Sequence, residues 1–260
     1  MNNVSVTSNF NDNPVSESNL FGRVAVLVYG VTSYFIGVAG LVCMILAFAQ
    51  LIPFGFMGID LAVNPWIANI VLVAIWGSIH SIMARASFKR LLTRFIPDAA
   101  ERPTYVLMAG VTSVLLFGLV QPIPGIVWSV EHTSAAALLW AVFAFGWVYL
   151  LGASFAINHF DLFGLQQVYL NFRNQPRPPI QFMKRAMYKF SRHPIQTGVL
   201  IGIWVTPCMS TTQLILSIGF TGYIFIGLWF EERDLIKEFG EIYLNYRKEA
   251  GMFLPKLIKR

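Results

Sequence analysis

Six long apolar stretches, near residues 24–50, 65–84, 103–120, 135–157, 194–209 and 212–229, dominate the pattern of this 260-residue chain. Most approach the ~20 residues that carry a helix across a bilayer core. None shows the apolar/polar alternation of a membrane barrel strand, and in lipid a helix satisfies its own backbone. The pattern therefore predicts an all-α fold, a polytopic membrane helical bundle of about five to six transmembrane helices. Only "CMSTT" separates the last two stretches, which predicts a tight helical hairpin. Beyond them, Leu235, Phe239, Tyr243 and Tyr246 recur at spacings of four, four and three, while Lys237, Glu238, Glu241, Lys248 and Glu249 take the other face. That stripe predicts a C-terminal amphipathic helix, lying on the membrane surface or folded over the bundle mouth.

Composition agrees: 56% of residues are hydrophobic and only 12% charged, with mean hydropathy +0.60. The charge adds orientation. All 19 Lys and Arg fall before the first stretch, after the second, between the fourth and fifth, or after the sixth, and the alternate connections near 51–64, 121–134 and 208–212 carry none. Basic residues are retained on the cytoplasmic side, so both termini are expected there, in a bacterial inner membrane. The net charge of +6 is then accounted for by orientation and anionic lipid, with no nucleic-acid partner. Cys43 and Cys208 show neither a CxxC pair nor metal spacing, so neither a disulfide nor a metal site is expected. Residues 1–22 are polar, without the basic and apolar regions of a cleaved signal, and read as a mobile tail before a single membrane domain over 23–260.

Ionisable groups at membrane depth are costly and call for a partner or a task. His80 lies near the end of the second stretch, His159 and Asp161 close the fourth, Arg192 and His193 open the fifth, and Glu231 and Glu232 close the sixth. Each alone has a plain explanation: a snorkelling arginine, a satisfied interior histidine, a solvated helix exit. Together they come from four helices to one charge-defined edge, as a site requires. His132, beside Glu131 on the other side, reads as a solvated loop residue.

"RHPIQTG" (192–198), followed after the hairpin by "EERDLIKEFGEIYLNYRKEAGMFLP" (231–255), resembles the C-terminal signature of the membrane superfamily of isoprenylcysteine carboxyl methyltransferases and phospholipid methyltransferases. The likeness spans roughly residues 190–255. "HSIMARASFK" (80–89), "ERPTYVLMAG" (101–110), "INHFDLFGLQQVYL" (157–170) and "YKFSRHPIQTG" (188–198) resemble, within it, the bacterial methanethiol S-methyltransferases. Proteins associated with nitrite and nitric oxide metabolism share the early histidine. Gln196 stands where the wider superfamily has tyrosine, which argues against a prenylcysteine or phospholipid acceptor.

The resemblance implies an enzyme that moves a methyl group from S-adenosylmethionine to methanethiol, a small thiol, giving dimethyl sulfide. It implies that Arg192, His193, Pro194, Gly198, Glu231, Glu232, Tyr243, Tyr246 and Arg247 hold the cofactor, with Gly198 allowing close backbone approach and the fifth helix start meeting a carboxylate. A neutral His80, or His159 oriented by Asp161, would take the thiol proton. Trp76, Met83 and Phe160 would form the apolar acceptor wall. The alternatives are a methyltransferase for another thiol or a lipid-like acceptor, and a non-enzymatic haem-binding or nitrogen-oxide-related membrane protein using His80, His159 and His193.

Overall fold

A computed structural model describes residues 19–179 and 182–256, so most of the expected tail, residues 1–18, lies outside the described residues. Five of the helices are long and apolar enough to cross a membrane: α1 (Leu20–Phe48), α2 (Pro65–Ala84), α4 (Asp98–Leu119), α5 (Thr133–Ile157) and α9 (Thr211–Phe239). Their starts are capped by side chains where the sequence supplies them. Asn19 accepts from Gly22 N at 2.9 Å, Asn64 from Trp66 N at 3.0 Å, just before a first-turn proline, and Ser210 from Gln213 N at 3.1 Å. The outward surface is apolar, with Phe35, Val148, Ile226 and Trp229 all exposed, as lipid-facing helices require. The fold is the expected all-α polytopic membrane bundle.

Two expectations are corrected. The stretch 194–209 is not one membrane-long helix: α8 (Pro194–Trp204) has 11 residues, about 16 Å at 1.5 Å per residue and roughly half of a bilayer core. The helix stops because Thr206 precedes Pro207, a position biased away from helical backbone. A short strand β2 (Cys208–Ser210) follows and pairs antiparallel with β1 (Ile126–Ser129). Nor is the α8–α9 hairpin tightly packed, because α8 lies mainly along α5 and α9 along α2. Gly198 and Gly146 permit this: a Cβ on Gly198 would meet the Gly146 carbonyl and Leu150. Near the turn, polar bonds still join the pair, Trp204 Nε1 to Thr221 at 2.9 Å and Ser217 Oγ to the Ile203 carbonyl at 2.8 Å.

The expected amphipathic helix is also divided. After the apolar stretch, α9 runs on to Phe239, Gly240 breaks it at φ +54°, and α10 spans Glu241–Glu249. The divided stripe still closes on itself. Tyr243, Tyr246 and Ala250 are buried, with Leu235, Phe239 and Phe182 packed against them. Between α5 and α8, the chain forms α6 (His159–Leu162), α7 (Leu165–Phe172) and a 3-10 turn at Ala186–Lys189. A short α3 (Ala86–Leu92) follows α2.

Candidate active site

The segment before α8 is fixed to the C-terminal tail by backbone pairing. Arg192 N donates to the Gly251 carbonyl at 2.8 Å, Gly251 N to Phe190 at 3.1 Å, and His193 N to Met252 at 3.2 Å. Tyr246 adds its hydroxyl, which donates to the Tyr188 carbonyl at 2.6 Å and lies 3.1 Å from that of Ser191. This pairing presents Arg192 and His193 to the end of α9. There Glu232 Oε1 accepts from Arg192 Nε at 2.7 Å and from His193 Nε2 at 3.1 Å, and Arg247 Nε lies 3.3 Å from Oε2. Arg192 also donates to the Ala250 carbonyl at 2.9 Å, closing the end of α10. Glu232, Arg192, His193 and Arg247 thus form one ionic knot joining α8, α9 and α10. Burial pushes the His193 imidazole below its ordinary value, the Glu232 acceptor pulls it back, and Arg192 adds to the lowering.

Glu231 has a different environment. Its side chain keeps 49% of its surface against 11% for Glu232, and His193 Nδ1 lies 3.9 Å away, beyond hydrogen-bond reach. The Tyr243 hydroxyl is buried without a partner among the described residues, and burial followed by the nearby Glu232 charge raises its pKa. No side chain caps the start of α8. A crevice of about 340 Å³ lies beside this group, lined in part by Leu228, Glu232, Ile236, Arg247 and Met252.

His80 projects from α2 one turn past Trp76 and is buried. Its Nδ1 lies 2.8 Å from the Trp76 carbonyl, an acceptor only, so Nδ1 carries the proton and Nε2 presents a lone pair. Among the described residues, no group bonds that Nε2. Trp76 covers one face of the ring at 4.1 Å between centroids, and Tyr105 and Tyr223 stand edge-on at 6.1 and 6.3 Å. Met83, buried, follows one turn later on α2. Arg85 binds α2 to α9 by lying 4.0 Å from the Phe230 ring centre and 3.9 Å from Asp234.

His159 sits elsewhere and is spent. The Ser154 hydroxyl lies 2.7 Å from the Leu151 carbonyl, to which it must give its proton. It therefore accepts from His159 Nδ1–H at 2.9 Å. Nε2 is left as an acceptor for the Tyr34 hydroxyl at 3.1 Å, and Phe155 stacks on the ring at 4.3 Å. Both nitrogens are used, and burial pushes the pKa down. Asp161 does not orient this histidine, because its carboxylate accepts from Gln167 Nε2 at 2.9 Å. Phe160 is exposed, with its ring edge-on to His159.

Among the residues expected from the sequence, Arg192, His193, Glu231, Glu232, Tyr243, Tyr246 and Arg247 come together, while Trp76 and His80 meet on α2, with Met83 buried one turn further on. Pro194 occupies the first helical position of α8, and Gly198 meets α5 instead of an open cradle. The haem reading set His80, His159 and His193 together, but each engages its own partners. Tyr105 and Tyr223 were missed. The available signal was a tyrosine within each of two membrane-length helices.

Comparison with known proteins places these residues in a family. The chain is 40% identical over 245 residues to the methanethiol S-methyltransferase of Mycobacterium tuberculosis, covering 90% of this chain and 97% of that protein. It is 36% identical over 256 residues to the methanethiol S-methyltransferase of Crocosphaera subtropica, covering 94% and 97%. The chain belongs to the methanethiol S-methyltransferase family. A more distant relative is the Nurim homolog of Drosophila melanogaster, 28% identical over 163 residues, covering 60% of this chain and 64% of that protein. No family model matches the chain, and no solved structure matches it. As a family member the chain is an enzyme, and its helices make it an integral membrane protein.

Proposed function

We propose that this protein transfers a methyl group from S-adenosylmethionine to methanethiol, giving dimethyl sulfide, at the cytoplasmic edge of a bacterial inner membrane with both termini in the cytoplasm. The observation that carries this reading is His80, whose Nδ1–H is taken by the Trp76 carbonyl so that its Nε2 lone pair faces outward among aromatic rings, on an α2 that Arg85 ties to the end of α9 where Glu231 stands.

The donor set fits the cofactor. Glu231 without a hydrogen bond, a buried Tyr243 hydroxyl without a partner and uncapped N–H groups at α8 suit a cation bearing an amino acid and a ribose. Bound there, adenosylmethionine supplies a methyl carbon already activated by a positive sulfur. Glu231 offsets that charge, and Tyr243 and the start of α8 meet its polar ends. Glu232, Arg192, His193 and Tyr246 tie α8 and the C-terminal tail together so that these groups keep their places. His80 Nε2 takes the thiol proton, because only the thiolate attacks. Trp76 and Met83 exclude water and limit the acceptor to a small apolar thiol. Since a thiolate and a sulfonium become two neutral products, shedding water favours the reaction.

Two measurements test the reading. Cells expressing the chain and fed methanethiol should release dimethyl sulfide by gas chromatography, and output no greater than an empty-vector control overturns the proposal. His80→Ala should abolish turnover while calorimetry still detects adenosylmethionine binding; retained turnover would remove His80 from the chemistry.

A further inference from the structure

Tyr105 on α4 and Tyr223 on α9 stand at 82° and 76° to the His80 imidazole, closing with Trp76 three sides of its recess. Trp76 gives its only N–H to Ser113 at 3.1 Å and so offers the recess a bare ring. The Tyr105 hydroxyl has no hydrogen-bond partner among the described residues, and the Tyr223 hydroxyl has only the Ser81 hydroxyl beside it. Ser81 can donate to Tyr223, which leaves the phenol proton for something else.

The charges around these phenols are ordered. Arg102 lies over the Tyr105 ring at 5.0 Å and is held by the Leu162 carbonyl at 2.7 Å. Arg85 lies 4.0 Å from the ring centre of Phe230 on α9, the helix that carries Tyr223. An interfacial tyrosine would turn its hydroxyl toward headgroups, whereas these two rings meet a buried histidine. Both tyrosines are half-buried, so their hydroxyls can still be met by a polar ligand.

We propose that Tyr105 and Tyr223 line the acceptor subsite and donate their hydroxyl hydrogens to the thiol sulfur as it ionises, an inference that rests on the thiol-methylation reading above. The S–H bond breaks and its proton goes to His80 Nε2. A sulfur electron pair forms the new S–C bond, while the bond from that carbon to the donor sulfur breaks and leaves its pair there, so both products are neutral. The phenols stabilise the sulfur anion, Arg102 beside the Tyr105 ring favours negative charge there, and Glu231 favours the cationic donor. The three rings admit a sulfur with one or two carbons and crowd out a lipid chain.

Methaneselenol has the shape of methanethiol but is already ionised at neutral pH, so it does not need help in losing a proton. Under reducing conditions, kcat/KM for both acceptors should be measured on the wild type, Tyr105→Phe, Tyr223→Phe and the double variant. Each single change should lower the value for methanethiol by about tenfold, the worth of one hydrogen bond to a charged group, and the double change by more. The value for methaneselenol should shift far less, and calorimetric affinity for adenosylmethionine should not move. Equal loss on both acceptors, weakened donor binding or no loss on either overturns the subsite while the wild type remains a thiol methyltransferase. A wild type that methylates neither acceptor instead sinks the parent reading, and the subsite with it.

Discussion

Glu231 and Glu232 are neighbours in sequence and opposites in environment. Glu232 is buried and bound by Arg192, His193 and Arg247, whereas Glu231 keeps half its side-chain surface and no hydrogen bond. Removing Glu232 strands the buried Arg192 guanidinium and leaves His193 Nε2–H without its acceptor, a loss on the order of 3 kcal/mol. Glu232→Ala should therefore unfold at clearly lower temperature in detergent, and an unchanged midpoint would show that the knot holds nothing. Glu231→Gln should leave the midpoint in place and weaken adenosylmethionine binding by calorimetry. The histidines add a pH dependence. Burial holds the folded pKa of both His159 and His193 below the ordinary 6.5. The unfolded chain thus takes up protons first as pH falls, and stability present above about 6.5 is lost on going lower. Thermal midpoints should decline between pH 7 and pH 5, and a flat profile would refute neutral burial of these two rings. The paired carboxylates were legible in the sequence, but their unequal roles were not. Which one meets the cations depends on how α9 is rotated, and no local pattern records that.

Elements matter here through two glycines. Gly240 turns α9 into α10 with φ +54° and ψ −128°, a backbone that L side chains rarely adopt, and a Cβ there would touch nothing within 4 Å. Any cost of Gly240→Ala is therefore conformational, about 1–3 kcal/mol, and should appear as a lower unfolding temperature together with weaker donor binding. A neutral result would mean that α10 can be reached by another path. Gly198 is the contrary case, a helical glycine crowded by Gly146 and Leu150. Gly198→Val should push α8 off α5 at about 1–3 kcal/mol and lower activity as well, because Arg192 and His193 lead into α8. The apolar pattern revealed where helices lie along the chain. It did not reveal that α8 stops after 11 residues or prefers α5 to α9, since lateral neighbours in lipid are chosen by small residues at close approach and not by hydrophobicity. The stripe of Leu235, Phe239, Tyr243 and Tyr246 identified a shared buried face correctly, although a break at Gly240 divides it.

The molecule as a whole is polarised along the membrane normal. Its basic residues sit on alternate connections, and the β1–β2 pair joins two connections that carry none. The ionic knot and the rings around His80 both belong to the basic end; on the proposed reading adenosylmethionine arrives there from the cytoplasm, while an apolar thiol enters from either side. The membrane-length helices were readable from sequence because they follow from a one-dimensional rule of length, and the proposed sidedness rests on the matching rule of charge. The convergence of Tyr105, Tyr223 and His80 was not, because it depends on the rotation of three helices about their own axes. Orientation also sets a test that activity cannot supply. With Cys43 and Cys208 replaced by serine, a cysteine introduced at Ser129, exposed on β1, should react with a membrane-impermeant maleimide once only the outer membrane is opened. A cysteine introduced at Lys248, near the end of α10, should react only after the inner membrane is breached. Labelling in the opposite order would invert the chain and move the site to the periplasmic face, away from the cofactor supply on which the proposed reaction depends.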